Sequence, residues 1–210
     1  MTTKLPEAAR KLAAELAELP SIGPRQAVRL ALYLINQGKE SIANLADAIS
    51  NLGTVKICER CFFIHQNQNS LCDICKNPSR NQAVIMAVEK ETDLISLENA
   101  KKFNGRYLIL GSMPKTGVLE EWQKLRLQNL KSFIVKELGP STGSGQGGQA
   151  EEIILAFNPT TAGNFNSSIV EKELAPLAKK ISRLGIGLPS GGEIEFADDE
   201  TLGGALEGRS

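Results

Sequence analysis

The sequence predicts a multidomain α plus α/β protein, and three observations carry that reading. Residues 1–54 show only helical periodicity. Directly behind them stand the four cysteines of the chain, Cys58, Cys61, Cys72 and Cys75, spaced as Cys-x2-Cys, ten residues, Cys-x2-Cys. From residue 79 onward, short apolar runs alternate with amphipathic stretches, the pattern of a parallel sheet with right-handed helical crossovers. The expected organisation is a helical module over 1–54, a small finger over 55–78, a parallel α/β domain over 79–178 and a C-terminal segment over 179–210 that ends in a short helix.

In the first module Leu5, Leu12, Leu16 and Leu19 recur at helical spacing until Pro20-Ser21-Ile22-Gly23-Pro24 breaks the pattern. A second helix follows, with Ala27, Leu30, Ala31 and Leu34 on one face and Pro24 in the first turn, where no amide hydrogen is needed. A third is expected from Ser41 as its N-cap, with Ile42, Leu45, Ala46 and Ile49 aligned. Three short helices make a core too small to be comfortable alone.

The cysteine spacing suits a tetrahedral zinc ion, which takes four thiolates at about 2.3 Å, two from each knuckle. A redox or disulfide pair would need an oxidising setting, and no secretory signal is seen ahead of the motif. Four thiolates leave no open coordination position, so the zinc is expected to be structural. His65 is the single histidine; with the shell already complete, it is expected as an exposed loop residue. Its isolation also makes a Ser-His-Asp or Cys-His catalytic arrangement hard to build.

Further on, Ala83 to Val88, Tyr107 to Leu110 and Ile153 to Phe157 are expected as buried strands. Helical patterns fall near 92–102, 119–138, 167–179 and 198–207, and the chain from Ile181 is rich in glycine. Ser141 to Gln149 contains Gly143-x-Gly145-x-x-Gly148, but it leads into a strand rather than a helix. A dinucleotide site needs the helix N-terminus there, so a surface loop is expected instead. No Gly-Lys-Ser/Thr occurs, which excludes a phosphate-binding loop of that kind. Formal charge is zero, so no overall field draws the chain to nucleic acid, and no apolar run approaches the roughly 20 residues needed to cross a bilayer. A cytoplasmic protein without a membrane partner is expected.

The segment Leu19 to Ala27 carries the second functional signal. A tight glycine-containing turn at Gly23 presents backbone amides at the next helix's N-terminus, where the helix dipole also favours a phosphate oxygen. Arg25 and Arg29 lie one turn apart and can add charge-assisted contacts. Such contacts hold a nucleic-acid backbone without reading bases. Residues 1–54 carry six Lys/Arg against five Asp/Glu, a net charge of only +1. One module should therefore bind weakly, and several acting together should bind usefully, which favours an oligomer. Aromatic residues make up 5% of the chain, too few to support base stacking, and Trp122 is expected in a core or interface.

The helix–hairpin–helix turn, the four-cysteine finger and the α/β domain, in that order, resemble the bacterial RecR family of recombination proteins along essentially the whole chain. Val88-Glu89, Asp93-Leu94 and Glu98 resemble the opening strand and helix of a Toprim domain, and Ile154-Leu155-Ala156-x-Asn158-Pro159-Thr160 its later strand. Gly187-x-Pro189-x-Gly191-Gly192, Glu195, Ala197-Asp198, Thr201-Leu202 and Ala205 to Arg209 resemble the family's C-terminal segment. The resemblance implies a homo-oligomer, a tetrameric ring that clamps duplex DNA and single/double-strand junctions. It also implies partnership with RecO and RecF in loading RecA onto single strands coated by SSB. On this resemblance Gly23, Arg25 and Arg29 face DNA, the four cysteines hold zinc, and the Toprim surface and C-terminal segment serve assembly and docking.

Catalytic Toprim domains hold magnesium with a first-strand Glu and a later Asp-x-Asp pair. Here Glu89 is present, but the later strand ends in Phe157-Asn158-Pro159. The expectation is a non-catalytic domain. The alternative is a magnesium-dependent phosphoryl-transfer enzyme, nuclease or primase-like, using Glu89; the other reading of Glu89 is a polar strand end that caps a helix or pairs with a base. Three features depart from the family pattern: Ala162 stands where a glutamate is usual, the loop Gly111 to Gly117 is short, and the patch at 141–149 looks inserted.

Overall fold

The structure is a computed structural model that describes residues 5–114, 118–138 and 148–208. Ser141 to Gly147 of the Gly/Ser patch lie outside the described residues, as do Lys115 to Gly117 of the short loop and Arg209. The chain divides after Val55 into two compact units.

The first unit contains α1 (Glu7–Ala17), α2 (Pro24–Gln37) and α3 (Lys39–Asn51). Its buried centre is Ala13, Ala27 and Ala31, with Leu16, Ala17, Ile22 and Val28 packed around them. This differs from the leucine stripe expected from spacing: Leu12 on α1 and Leu19 just beyond it are exposed, while Ala9 and Ala13 are buried. Alanines let two helix backbones approach closely, so the leucines are left to flank the contact. The third helix begins at Lys39 rather than at a Ser41 cap. Gly38 adopts φ 86°, a left-handed conformation open to glycine, and there ends α2 and starts α3 in a single residue. No residue of α3 is buried, and Ile42, Leu45 and Ile49 are all exposed.

The second unit opens with an antiparallel pair, β1 (Lys56–Ile57) and β2 (Ile64–His65), followed by the one-turn α4 (Asp73–Lys76). Then come β3 (Val84–Val88), α5 (Glu91–Asn99), β4 (Arg106–Ile109), α6 (Glu121–Glu137), β5 (Glu152–Ala156), α7 (Thr161–Leu174), β6 (Ile181–Arg183) and α8 (Asp199–Glu207). Four strands form a wholly parallel sheet in the order β4-β3-β5-β6. The three expected strands lie within one residue of their sequence positions. The edge strand β6 was hidden in the sequence, because two half-buried residues and an exposed Arg183 before a glycine-rich stretch give no apolar run.

Alternation sorts the sheet's side chains into two cores. Ile85, Ala87, Leu108, Leu110, Ile153 and Leu155 pack on one side with Leu127, Leu130 and Ile134 of α6 and Val170 and Leu174 of α7. Met86, Val88, Tyr107 and Ile109 pack on the other with Leu94 of α5 and with all four cysteines. The helix expected near 167–179 starts earlier, at Thr161. The Thr160 hydroxyl accepts the Gly163 amide at 3.0 Å, an N-cap that no apolar periodicity announces. Gly163 is required there, since a Cβ would lie 2.0 Å from the Asn158 carbonyl oxygen. Among the described residues no helix is long and apolar enough to cross a membrane.

Candidate metal centre and nucleic-acid interface

The cysteine knuckles are shaped by their own backbone. The Phe62 amide donates to the Cys58 carbonyl at 3.0 Å and the Cys58 amide to the Phe63 carbonyl at 2.8 Å, closing a turn in which Phe62 takes a positive φ of 65°. In the second knuckle Cys72 caps α4, its Sγ accepting the Cys75 amide at 3.5 Å. Asn67 ties the connecting loop down, donating to the Leu71 carbonyl at 2.9 Å and to the Asp73 carboxylate at 3.0 Å. The finger is anchored to the sheet by the Ile109 amide, which donates to the Cys61 carbonyl at 2.9 Å along the edge strand β4.

The result is four buried, unbridged thiols whose sulfur atoms all lie within 4.8 Å of one another, with Cys61 and Cys72 at 3.4 Å. A tetrahedral ion with metal–sulfur bonds of about 2.3 Å separates its ligands by about 3.8 Å, so the donor set fits a soft divalent metal. Hydrogen bonding between the crowded thiols holds Cys58 well below the ordinary thiol range and pushes Cys61 well above it. His65 is not in the cluster. It sits half-buried on β2 rather than exposed on a loop, and its Nδ1 accepts the Asn67 amide at 3.1 Å.

A basic group that sequence reasoning missed shares an aromatic ring with Arg60, the residue before Cys61. Arg106, the first residue of β4, is 1% exposed, and burial works against its charge. Its guanidinium lies 3.5 Å from the Phe133 ring centre, and that of Arg60 lies 5.6 Å from the same ring. The signal available in the sequence was a lone cation abutting a fully apolar strand.

In the first unit, Arg25 and Arg29 are both exposed on the first turns of α2. Gly23 is the N-cap and offers no side chain, no acid lies in the first turn, and the Ala27 amide is already bonded to the Gly23 carbonyl at 3.0 Å. Among the described residues the Arg25 and Gln26 amides have no partner, and neither arginine forms an ion pair. Ser21, at φ 66°, makes the left-handed step that turns α1 back into α2.

Glu89 follows the end of β3, is 8% exposed, and accepts the Asn158 amide through Oε1 at 3.2 Å. Among the described residues the cysteines are the one group of three or more His, Cys, Asp or Glu side chains close enough to share an ion. Trp122 lies against Gly111, where a Cβ would meet its ring at 1.9 Å, and Arg126 stacks over Trp122 and Phe62 at 4.8 Å each.

Comparison with known proteins follows the same division of the chain. The RecR helix-hairpin-helix model matches residues 9–52, a Toprim domain model matches 83–185, and the RecR C-terminal model matches 187–210. The recombination protein RecR of Clostridium perfringens is 36% identical over 206 residues, covering 98% of this chain and 97% of its own. That of a Synechococcus strain is 39% identical over 202 residues, covering 95% and 97%. That of Dehalococcoides mccartyi is 37% identical over 213 residues, covering 99% and 97%. Three family models thus match the helical hairpin, the parallel sheet and the C-terminal helix in turn, the relatives match over nearly the whole length, and the chain belongs to the RecR family of recombination proteins.

Proposed function

We propose that the protein is a non-catalytic DNA clamp and recombination mediator of DNA repair, acting in the cytoplasm with RecO and RecF to help load RecA onto SSB-coated single strands. The observation that carries this reading is the α2 N-terminus: two free amides, a glycine cap and two exposed, unpaired arginines one turn apart, in a chain of a recombination family. The amides and the dipole receive one phosphate oxygen while Arg25 and Arg29 reach its neighbours, so the interaction follows the backbone and ignores sequence.

Each protomer contributes few charges, and useful affinity comes from several copies on one DNA. The exposed apolar face of α3 supports a homo-oligomer, with the tetrameric ring as the family's form. Cys58, Cys61, Cys72 and Cys75 hold a structural zinc ion, which supplies cross-linking of the two knuckles and no chemistry. Glu89 positions the loop before α7 by accepting the Asn158 amide. One carboxylate beside an asparagine is a poor magnesium cage, which supports the absence of phosphoryl transfer.

The test is DNA retention by Arg25→Ala/Arg29→Ala across a salt series. Binding at low salt should weaken. The slope of log affinity on log salt should become shallower by about 0.9 for each duplex phosphate that the variant no longer neutralises. Unchanged retention and slope would remove α2 as the interface. Magnesium-dependent cleavage of nicked or gapped DNA that Glu89→Gln abolishes would overturn the non-catalytic reading.

A further inference from the structure

We propose that Arg106, with Arg60 beside it, is the counter-charge of the four-cysteine centre, a positioning pair that offsets the net negative charge of four thiolates around one divalent ion. The inference rests on the reading of the cysteines as a metal site and goes beyond it to residues that touch no metal. Its starting point is a charge without a partner. Arg106 is almost wholly buried, its Nε and Nη1 have no hydrogen-bond partner, and among the described residues neither Arg106 nor Arg60 forms an ion pair. Both guanidinium groups crowd one Phe133 ring. A ring face attracts a cation but does not neutralise two, and like charges in a low dielectric repel.

A buried cation is retained where an anion repays its desolvation. Arg60, the residue before Cys61 in the first knuckle, shares the Phe133 ring with Arg106, and negative charge at Cys75 and Cys61 favours the charged form of Arg106. Four thiolates around a divalent ion carry a net double negative charge, and two guanidinium groups match it. The geometry is also stiff. Arg106 opens the edge strand to which the finger is bonded through Ile109 and Cys61, so the sheet fixes where the positive charge stands relative to the sulfurs. Donors placed behind metal ligands in this way hold the ligands' orientation and raise affinity for the metal.

The experiment uses the full chain and reads metal, not DNA binding. Zinc release to a colorimetric chelator is measured for wild type, Arg106→Met, Arg106→Lys and Arg60→Gln, alongside the sulfur-to-metal charge-transfer band of the cobalt-loaded proteins. Arg106→Met, which keeps the length and removes the charge, should bind zinc about 10- to 100-fold more weakly. Arg106→Lys should recover most of that deficit. Zinc held as tightly by Arg106→Met as by wild type overturns the proposal, as does an equal weakening in Arg106→Met and Arg106→Lys, the mark of a packing role. Should Arg106→Met fail to fold, the half-buried Arg60→Gln decides: a several-fold faster release supports the proposal and an unchanged rate overturns it. A wild-type protein with neither zinc nor a cobalt charge-transfer band would overturn the metal reading itself, a result distinct from the failure of Arg106 alone.

Discussion

The two units of this chain spend their apolar residues in opposite ways. The unit after Val55 buries its strand residues on both faces of the sheet, with Leu130, Ile134, Leu174 and the cysteines closing the two cores. The helical unit before it is centred on three alanines and leaves Leu12, Leu19, Ile42, Leu45 and Ile49 exposed to solvent. Alanine burial contributes little transfer free energy per residue, since stabilisation scales at roughly 25 cal/mol per Å² of apolar surface removed from water. The first unit therefore has apolar surface left over for an interface with little core behind it, whereas the second holds a two-sided core and still leaves Phe165, Ile194, Phe196 and Leu206 exposed. The contrast separates a presenting module from a scaffold, and it can be broken from either side.

The largest effect should come from the four-cysteine cluster of the second unit. On the proposed zinc reading, Cys58→Ser removes one of four ligands, and metal binding in small fingers is folding energy, on the order of 10 kcal/mol for structural zinc. Zinc should be released, and hydrogen exchange should become fast across residues 56–76 and at the Ile109 amide that anchors the finger to β4. Helix α2, with Arg25 and Arg29, should keep its protection. A variant that releases zinc while the finger stays protected would show that the thiols are not its staple.

Next in size is a paired truncation. Ile134→Ala, in the sheet's fully buried core, should destabilise by about 2–5 kcal/mol. Ile49→Ala, at a side chain 59% exposed on α3, should fall within about 0.5 kcal/mol in chemical unfolding at low protein concentration. The same substitution should lower native mass at micromolar concentration if α3 forms the assembly interface. Equal costs at both sites would erase the distinction between the units.

Much of the second unit was legible because its signals are strict. Cysteine spacing specified the cluster, and fully apolar strands such as Val84–Val88 announce a two-sided sheet. In the first unit the leucine stripe misled on α1, because periodicity locates an apolar face but not which of its residues a neighbour covers; the alanines of α1 and α2 made the contact. Arg106 was invisible for a different reason. A cation beside an apolar strand is read as a solvated end unless the long-range neighbours are known, and here those neighbours are Phe133 and, across the same ring, Arg60, 46 positions earlier in the chain. Gly38 shows the same limit at short range: its positive φ moved the start of α3 ahead of Ser41, which had the better capping side chain.

The smallest effect tests a local feature of the scaffold unit. Thr160 lies between the Glu89-bonded loop and α7, and its hydroxyl accepts the Gly163 amide at 3.0 Å. Thr160→Ala removes that acceptor and should cost about 1 kcal/mol, the usual worth of a helix N-cap. Thr160→Ser keeps the oxygen and should cost much less. The destabilisation should be confined to α7, because the carboxylate of Glu89 holds the Asn158 amide independently, two residues before the cap. Thermal unfolding of the two variants, with amide exchange of Gly163 and Asn164, separates the outcomes. If Thr160→Ala also frees the Asn158 amide, cap and carboxylate form one network, and Glu89 and α7 must then be treated as a single device joining β3 to the end of β5.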